Sequence, residues 1–295
     1  MPLCYLREYC MRNQRHSGYI AFTGRNITLT LRESRTRNTV DWRVWLEQDC
    51  NPISFWHDIP LYPDEKNNNI VNIYVEILRW TDAKIETKRN NLMNPIYHDD
   101  KDAVPRYVAG IWPHKSYPFL YGSLPQTWEN SNIKHNFTGY PGDNDPMDVK
   151  DISATDTKTE LGLAINDLEE YRPDLKQTFY DWFVCYKVLR SGSLNTIFGD
   201  KFQDSNTARE IVGESHGFWQ DLISGRKDAG KISNSQTSQP SMCESYIASK
   251  DASKEFGLPK KSKIEPAALR PVKYGKWFYL DENFEVMPEQ DIDVD

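Results

Sequence analysis

The stretch Gly142-Asp143-Asn144-Asp145-Pro146-Met147-Asp148-Val149 places three carboxylates within six positions, on a turn that Gly142 and Pro146 help to shape. Like charges packed so closely cost free energy unless a cation neutralises them. Carboxylate oxygens suit Mg²⁺, which is content with one or two carboxylates plus waters and substrate phosphates. A calcium loop of the EF-hand kind is excluded, because Met147 and Asp148 stand where that pattern requires Asx and Gly. A solvated Asx turn is the other reading of so Asp- and Asn-rich a segment.

Working outward from this turn, residues 39–48 alternate, with Val40, Trp42, Val44 and Leu46 on one face and Asp41, Arg43 and Glu47 on the other. That pattern predicts a half-buried strand. Residues 70–78 alternate as well, which sets Val71, Ile73, Val75 and Ile77 inward and Glu76 on the opposite face. Residues 83–87 read as the next strand, so Lys84 and Glu86 share a face about 7 Å apart. Prolines recur from Pro95 to Pro146 and forbid long helices there. Short strands and loops carrying exposed aromatics are expected instead, and with them Arg106, Lys115, Tyr117 and Tyr121. After Pro173 the apolar spacing becomes helical: Leu175, Phe179, Trp182, Phe183 and Tyr186 form one stripe that ends at Lys187. Ala208 to Leu222 predict a second helix, and residues 227–254 a long surface loop. The fold class is mainly β with flanking helices. Lys and Arg in this set would hold phosphate oxygens, Tyr would donate hydrogen bonds, and the acids would hold metal.

Composition narrows the classes. The chain has 295 residues, with 43 Asp and Glu against 36 Lys and Arg, a formal charge of −7. Mild acidity argues against nucleic acid as a partner. No run approaches the roughly 18 apolar residues of a spanning helix, so a membrane is not expected either. Five scattered cysteines (Cys4, Cys10, Cys50, Cys185, Cys243) lack metal-ligand spacing and read as free thiols in a reducing compartment. Residues 1–36 are Arg-rich and read as a basic extension, either disordered or a transit peptide. Residues 37–280 form the functional domain, and 281–295, with seven acids and no base, an acidic tail. Cytoplasm is the expected location, with the mitochondrion as the alternative raised by the Arg-rich start.

Asp143 to Val149 fits the signature D-[SGDN]-D-[PE]-[LIVMF]-D-[LIVMGAC] at every position. Around it lie the blocks Phe55 to Tyr62, Val75 to Glu86, Tyr121 to Glu129, and Asp181-Trp182-Phe183 with Tyr186-Lys187. Together they resemble the family I soluble inorganic pyrophosphatases of eukaryotic type, from about residue 37 to about 280, less closely at 205–270. The resemblance implies a small OB-like closed barrel flanked by helices, and Mg²⁺-dependent hydrolysis of pyrophosphate to two phosphates. It implies Asp143 and Asp148 as metal ligands, with Glu86 acting through water and Glu76 tuning that network. It implies Asp145 as the base on the attacking water. Lys84, Arg106, Tyr121, Tyr186 and Lys187 would clamp the phosphates, with Tyr117 as proton donor or orienter. A homodimer is implied too, Arg79-Trp80 matching a stretch near its interface.

Between Val149 and Leu175 the chain is shorter than that family by about thirty residues, roughly three strands with their turns. The family carries a D-x4-D-x-K element there. Asp151, Asp156 and Lys158 reproduce the spacing, but three residues after Asp148 span at most about 10 Å and cannot rebuild the longer path. A barrel missing strands would have open edges. An impaired pyrophosphatase is therefore weighed against a non-catalytic relative that serves as a binding or scaffold subunit.

Overall fold

The computed structural model describes residues 18–22, 25–151, 173–197, 202–240, 246–260 and 264–288. The first half carries strands β1 (Gly18–Phe22), β2 (Arg25–Ser34), β3 (Arg43–Gln48), β4 (Asn51–Ile53), β5 (Tyr74–Ile77), β6 (Ile85–Thr87) and β7 (Ile96–His98). The short strands β8 (Asp100–Lys101), β9 (Val104–Pro105) and β10 (Gly110–Ile111) precede β11 (Leu120–Ser123) and β12 (Asp148–Asp151). Helices α1 (Leu175–Cys185), α2 (Val188–Ser191), α3 (Ser205–Ile223) and α4 (Ser249–Glu255) follow, and β13 (Trp277–Phe278) comes last.

One sheet runs β1-β2-β3-β7-β6 with β4 added to β3, and a second runs β12-β11-β5. Strand β10 pairs parallel with β13, and β8 pairs with β9. The architecture is mainly β with few helices, as the alternation predicts. The closed OB-like barrel is not formed among the described strands, which divide into separate sheets. Asp156 and Lys158 lie outside the described residues, as do residues 1–17.

Strand β3 buries Trp42 at its entrance, then Val44 and Leu46, as expected. Its other face departs from expectation, because Glu47 is fully buried. The Glu47 carboxylate accepts from Arg32 Nε at 2.7 Å and from Thr30 Oγ1 at 3.2 Å, across the β2–β3 pairing. A buried carboxylate needs such a partner. Arg32 also donates to Ser253 of α4 and to the Pro259 carbonyl, so this helix covers the face expected to meet solvent. Val40 sits in the turn before β3 and is half-buried. Residues 29–34 pair with β3 in this sheet.

Strand β5 does not keep one free face. Ile77 is buried as the alternation predicts, but Tyr74 and Glu76 of the other face are buried too, and Val75 is half-buried, as are Val71 and Ile73 ahead of the strand. Helix α1 opens after Pro173 and lays Phe179 and Trp182 into the main core with Phe119 and Tyr117. A second core gathers Trp56, Trp128, Trp219, Leu222, Ile223 and Ile232, to which α3 contributes three side chains. The 227–254 segment is more than a surface loop. Ser235 and Gln236 are buried, Thr237 and Ser238 donate backbone N–H groups to Asp58, and α4 closes the stretch.

His57 joins these parts. Its Nδ1 accepts from Trp219 Nε1 at 3.0 Å, and its Nε2 lies 3.0 Å from the Ser233 carbonyl, which fixes the neutral tautomer with its proton on Nε2. Burial lowers its pKa to about 4. An unfolded histidine titrates near 6.5, so this contribution to stability is complete above that value and declines as pH falls from there to about 4. His57→Gln removes the linkage. In urea titrations the stability margin of the parent chain over the variant should narrow by about 3 kcal/mol between pH 7 and pH 4, and a constant margin would refute the assignment.

Candidate active site

Strand β11 is the middle of three, and its pairings assemble the site. Tyr121 stands opposite Lys150 and Ser123 opposite Asp148 on one side, while Tyr121 faces Ile77 and Ser123 faces Tyr74 on the other. Alternate residues share a face, so Tyr121, Ser123, Asp148 and Lys150 stand together. Gly122 permits the close approach of β5, since a Cβ there would lie 2.1 Å from the Tyr74 carbonyl oxygen.

Glu76 is held from both sides. Thr87 Oγ1 donates to its Oε1 at 2.6 Å, and Ser123 Oγ to its Oε2 at 3.2 Å. Burial pushes its pKa well above the usual carboxylate range, and the charges of Asp148 and Glu86 push the same way against the Thr87 hydrogen bond.

The acidic turn is clipped to the chain that leaves β11. Asn144 N donates to Glu129 O at 2.9 Å, Glu129 N to Asp145 O at 2.9 Å, and Gly142 N to Asn130 O at 3.2 Å. Asp145 N closes an Asx turn on Asp143 Oδ1 at 3.1 Å. Gly142 is required by space, because a Cβ would fall 2.1 Å from the Glu129 carbonyl oxygen. Arg89 Nη1 then spans the turn, donating to Asp145 Oδ1 at 2.7 Å and to the Asp143 carbonyl at 3.0 Å.

The electrostatics follow from this crowding. Burial raises the Asp145 pKa to about 7, Asp143 adds to the rise, and Arg89 opposes it. Glu129 rises to about 8 through burial and the charges of Asp148, Asp143 and Asp145. Burial also raises Asp148, against the Tyr121 hydrogen bond and the Lys150 charge. The Asp148 side chain still reaches solvent, so its desolvation is that of a cleft wall.

The cationic and aromatic residues surround these acids. Lys84 pairs with Glu86, and although burial works against the ammonium, the Glu86 carboxylate more than offsets it and raises the Lys84 pKa. Lys84 N donates to the Arg106 carbonyl at 3.0 Å, while the Arg106 guanidinium is bound to Asp99. Tyr117 is buried 5.6 Å from the Tyr121 ring and 5.1 Å from Trp182. Burial raises its pKa, with Tyr186, Glu86 and Asp148 adding to the effect. Tyr186 stacks on Trp182 at 4.5 Å, and Lys187 Nζ lies 5.3 Å from the Tyr186 ring. Lys115 is exposed.

Three members of the site escape the sequence reading. Glu129 lies in a matched block, but its contact with the acidic turn depends on a long-range backbone pairing. Arg89 follows Glu86 by three residues on the exit from β6. Lys150 had a usable signal, because it follows Asp148 by two residues on the same strand. Among the described residues no three His, Cys, Asp or Glu side chains already converge as a metal cage. Mutually repelling carboxylates along an open wall fit Mg²⁺, which keeps several of its waters.

Comparison with known proteins gives a consistent result. The sequence model of the family described as inorganic pyrophosphatase matches residues 73–163. Inorganic pyrophosphatases from Candida glabrata and Schizosaccharomyces pombe are each 32% identical, the first over 295 residues covering 86% of this chain and 99% of its own length, the second over 286 residues covering 85% and 97%. Alignments of that length over only part of this chain mean that the relatives hold stretches it lacks. The inorganic pyrophosphatase structure from Schistosoma japonicum superposes with a TM-score of 0.74 at 28% identity, covering 85% of this chain and 99% of that one. A truncated vacuolar soluble pyrophosphatase from Trypanosoma cruzi, solved in complex with PPi, gives a TM-score of 0.57 at 28% identity, covering 71% and 96%.

The clip between the acidic turn and Glu129 is open to a direct test. Gly142→Ala should lower stability by about 1–3 kcal/mol through backbone overlap. Gly217→Ala, in α3 with nothing within 4 Å of the added carbon, should raise it slightly. Equal melting temperatures for the two variants would contradict the geometry.

Proposed function

The chain belongs to the inorganic pyrophosphatase family, and we propose that it hydrolyses inorganic pyrophosphate to two phosphates with Mg²⁺ as cofactor. The observation that carries this reading is the clip that sets the Asp143–Asp145 turn against Glu129, joined by β12 to Asp148 beside Tyr121, with Lys84 and Tyr186 near enough to interact with this group. Phosphoryl transfer asks mainly for positioning and charge stabilisation, which such a set supplies.

Asp143 and Asp148 are the residues that would hold the metal, with Glu86 and Glu76 in the hydrogen-bonded layer behind them. When bound there, Mg²⁺ supplies acidification of the attacking water and neutralisation of the leaving phosphate. Asp145, whose Oδ1 is held by Arg89, would accept a proton from the attacking water. Lys84, Arg106, Tyr186 and Lys187 bind phosphate oxygens, for which the Arg106 guanidinium must share or leave Asp99. Tyr121 and Tyr117 donate hydrogen bonds, and Tyr117, as proton donor or orienter, faces the departing phosphate with its hydroxyl proton.

We also propose a homodimer. Trp112 (57% exposed), Trp277 (41%) and Tyr279 (45%) form a contiguous aromatic surface, with rings 5.7 and 6.1 Å from Trp112. Large exposed apolar patches mark interaction sites. Light scattering should find a dimer for the parent chain and a monomer for Trp112→Ala combined with Trp277→Ala; two monomers would refute the patch.

The stretches held by the relatives and absent here favour a second reading, a subunit that binds pyrophosphate without turning it over. Phosphate release separates the two. With Mg²⁺ the parent chain should release phosphate from pyrophosphate, and Asp145→Asn should be slower by roughly 10²–10⁴-fold. Equal rates would overturn the hydrolase, and tight pyrophosphate binding without release would select the binding subunit.

A further inference from the structure

The proposed chemistry leaves Lys150 without a task. Strand β12 sets it two residues beyond Asp148, on the same face, opposite Tyr121. Its ammonium rests on aromatic carbon: Nζ lies 4.2 Å from the Phe183 ring centroid and 5.9 Å from that of Phe119. Phe183 comes from α1 and Phe119 from the approach to β11, so helix and sheet both fix the side chain. A ring face attracts an ammonium without carrying the net charge that would neutralise it. Burial works against the ammonium and Lys187 repels it, while the neighbouring Asp148 and Glu129 carboxylates attract it.

We propose that the Lys150 ammonium is a resident cation of the acidic cleft, supplying part of the positive charge that the carboxylates demand and thereby setting how many Mg²⁺ ions the cleft takes up and how tightly. This rests on the reading of the cleft as a Mg²⁺ site. A fixed unit charge beside Asp148 and Glu129 reduces the negative potential of the cleft and repels an entering dication, and the two cations divide the same carboxylates. Such an arrangement suits a chain that lacks stretches present in its relatives, because a tethered charge needs no additional ligands to hold it.

Calorimetric titration with MgCl2 alone, on the full chain, tests this. Lys150→Met keeps an apolar stem against Phe183 and removes the charge, whereas Lys150→Arg keeps the charge. Lys150→Met should bind Mg²⁺ roughly tenfold more tightly or take up a further ion per chain, while Lys150→Arg should follow the parent. Thermal melting provides the second readout: Mg²⁺ should raise the Tm of Lys150→Met by more than it raises that of the parent. A Lys150→Met protein that folds only in Mg²⁺ is the same outcome in stronger form. Identical isotherms and identical Mg²⁺-induced shifts for parent and Lys150→Met would overturn the role of Lys150 and leave the metal reading standing. So would an Arg variant that behaves like the Met variant. No Mg²⁺ uptake by any of the three proteins would overturn both.

Discussion

Repulsion among Asp143, Asp145, Asp148 and Glu129 is the constraint around which the site is built. Four carboxylates approach one another because the backbone leaves them no alternative: Asn144 and Asp145 are hydrogen-bonded to Glu129, and Gly142 lies against the same residue. Burial raises the pKa values of three of them, and the neighbouring carboxylates add to the rise. Three cations near these carboxylates answer that penalty, each in its own geometry. Arg89 ties the turn by a direct bond, Lys84 pairs with Glu86 behind it, and Lys150 stands off on aromatic carbon. A site that has to be compensated is prepared for a divalent cation and for the polyanion that accompanies it.

Much of this was legible in the residues alone, and the limits of legibility are physical. Density of Asp in 143–148 marks the centre of the site because charge crowding is a local property. The α1 stripe from Leu175 to Tyr186 and the absence of helix across the proline-rich middle follow from local periodicity and backbone restriction. Glu47 departs from the alternation for a physical reason. Period-2 alternation assigns polar residues to solvent only where one face of a strand is free, and here α4 covers the face that carries Glu47. Arg89, Glu129 and the buried stretch around Ser235 are positioned by contacts distant in sequence, and no local pattern encodes those.

Family membership and the geometry bear on different questions. The fungal relatives show which family this is, and their alignments extend over stretches this chain lacks. The three strands β12, β11 and β5 nonetheless carry Glu76, Tyr121 and Asp148 into one sheet without any of that added length. These three residues of the proposed site thus share one sheet formed among the described residues.

The tether from His57 and Asp58 to residues 233–238 has a consequence for synthesis. Those hydrogen bonds join positions 176 to 180 residues apart, so a nascent polypeptide still on the ribosome has no partner for His57 until most of it has emerged. The Trp56–Trp219 cluster therefore waits on chain made long after the local hairpins, and a product terminated before α3 would display two bare indoles and an unpaired imidazole to whatever quality-control machinery inspects it.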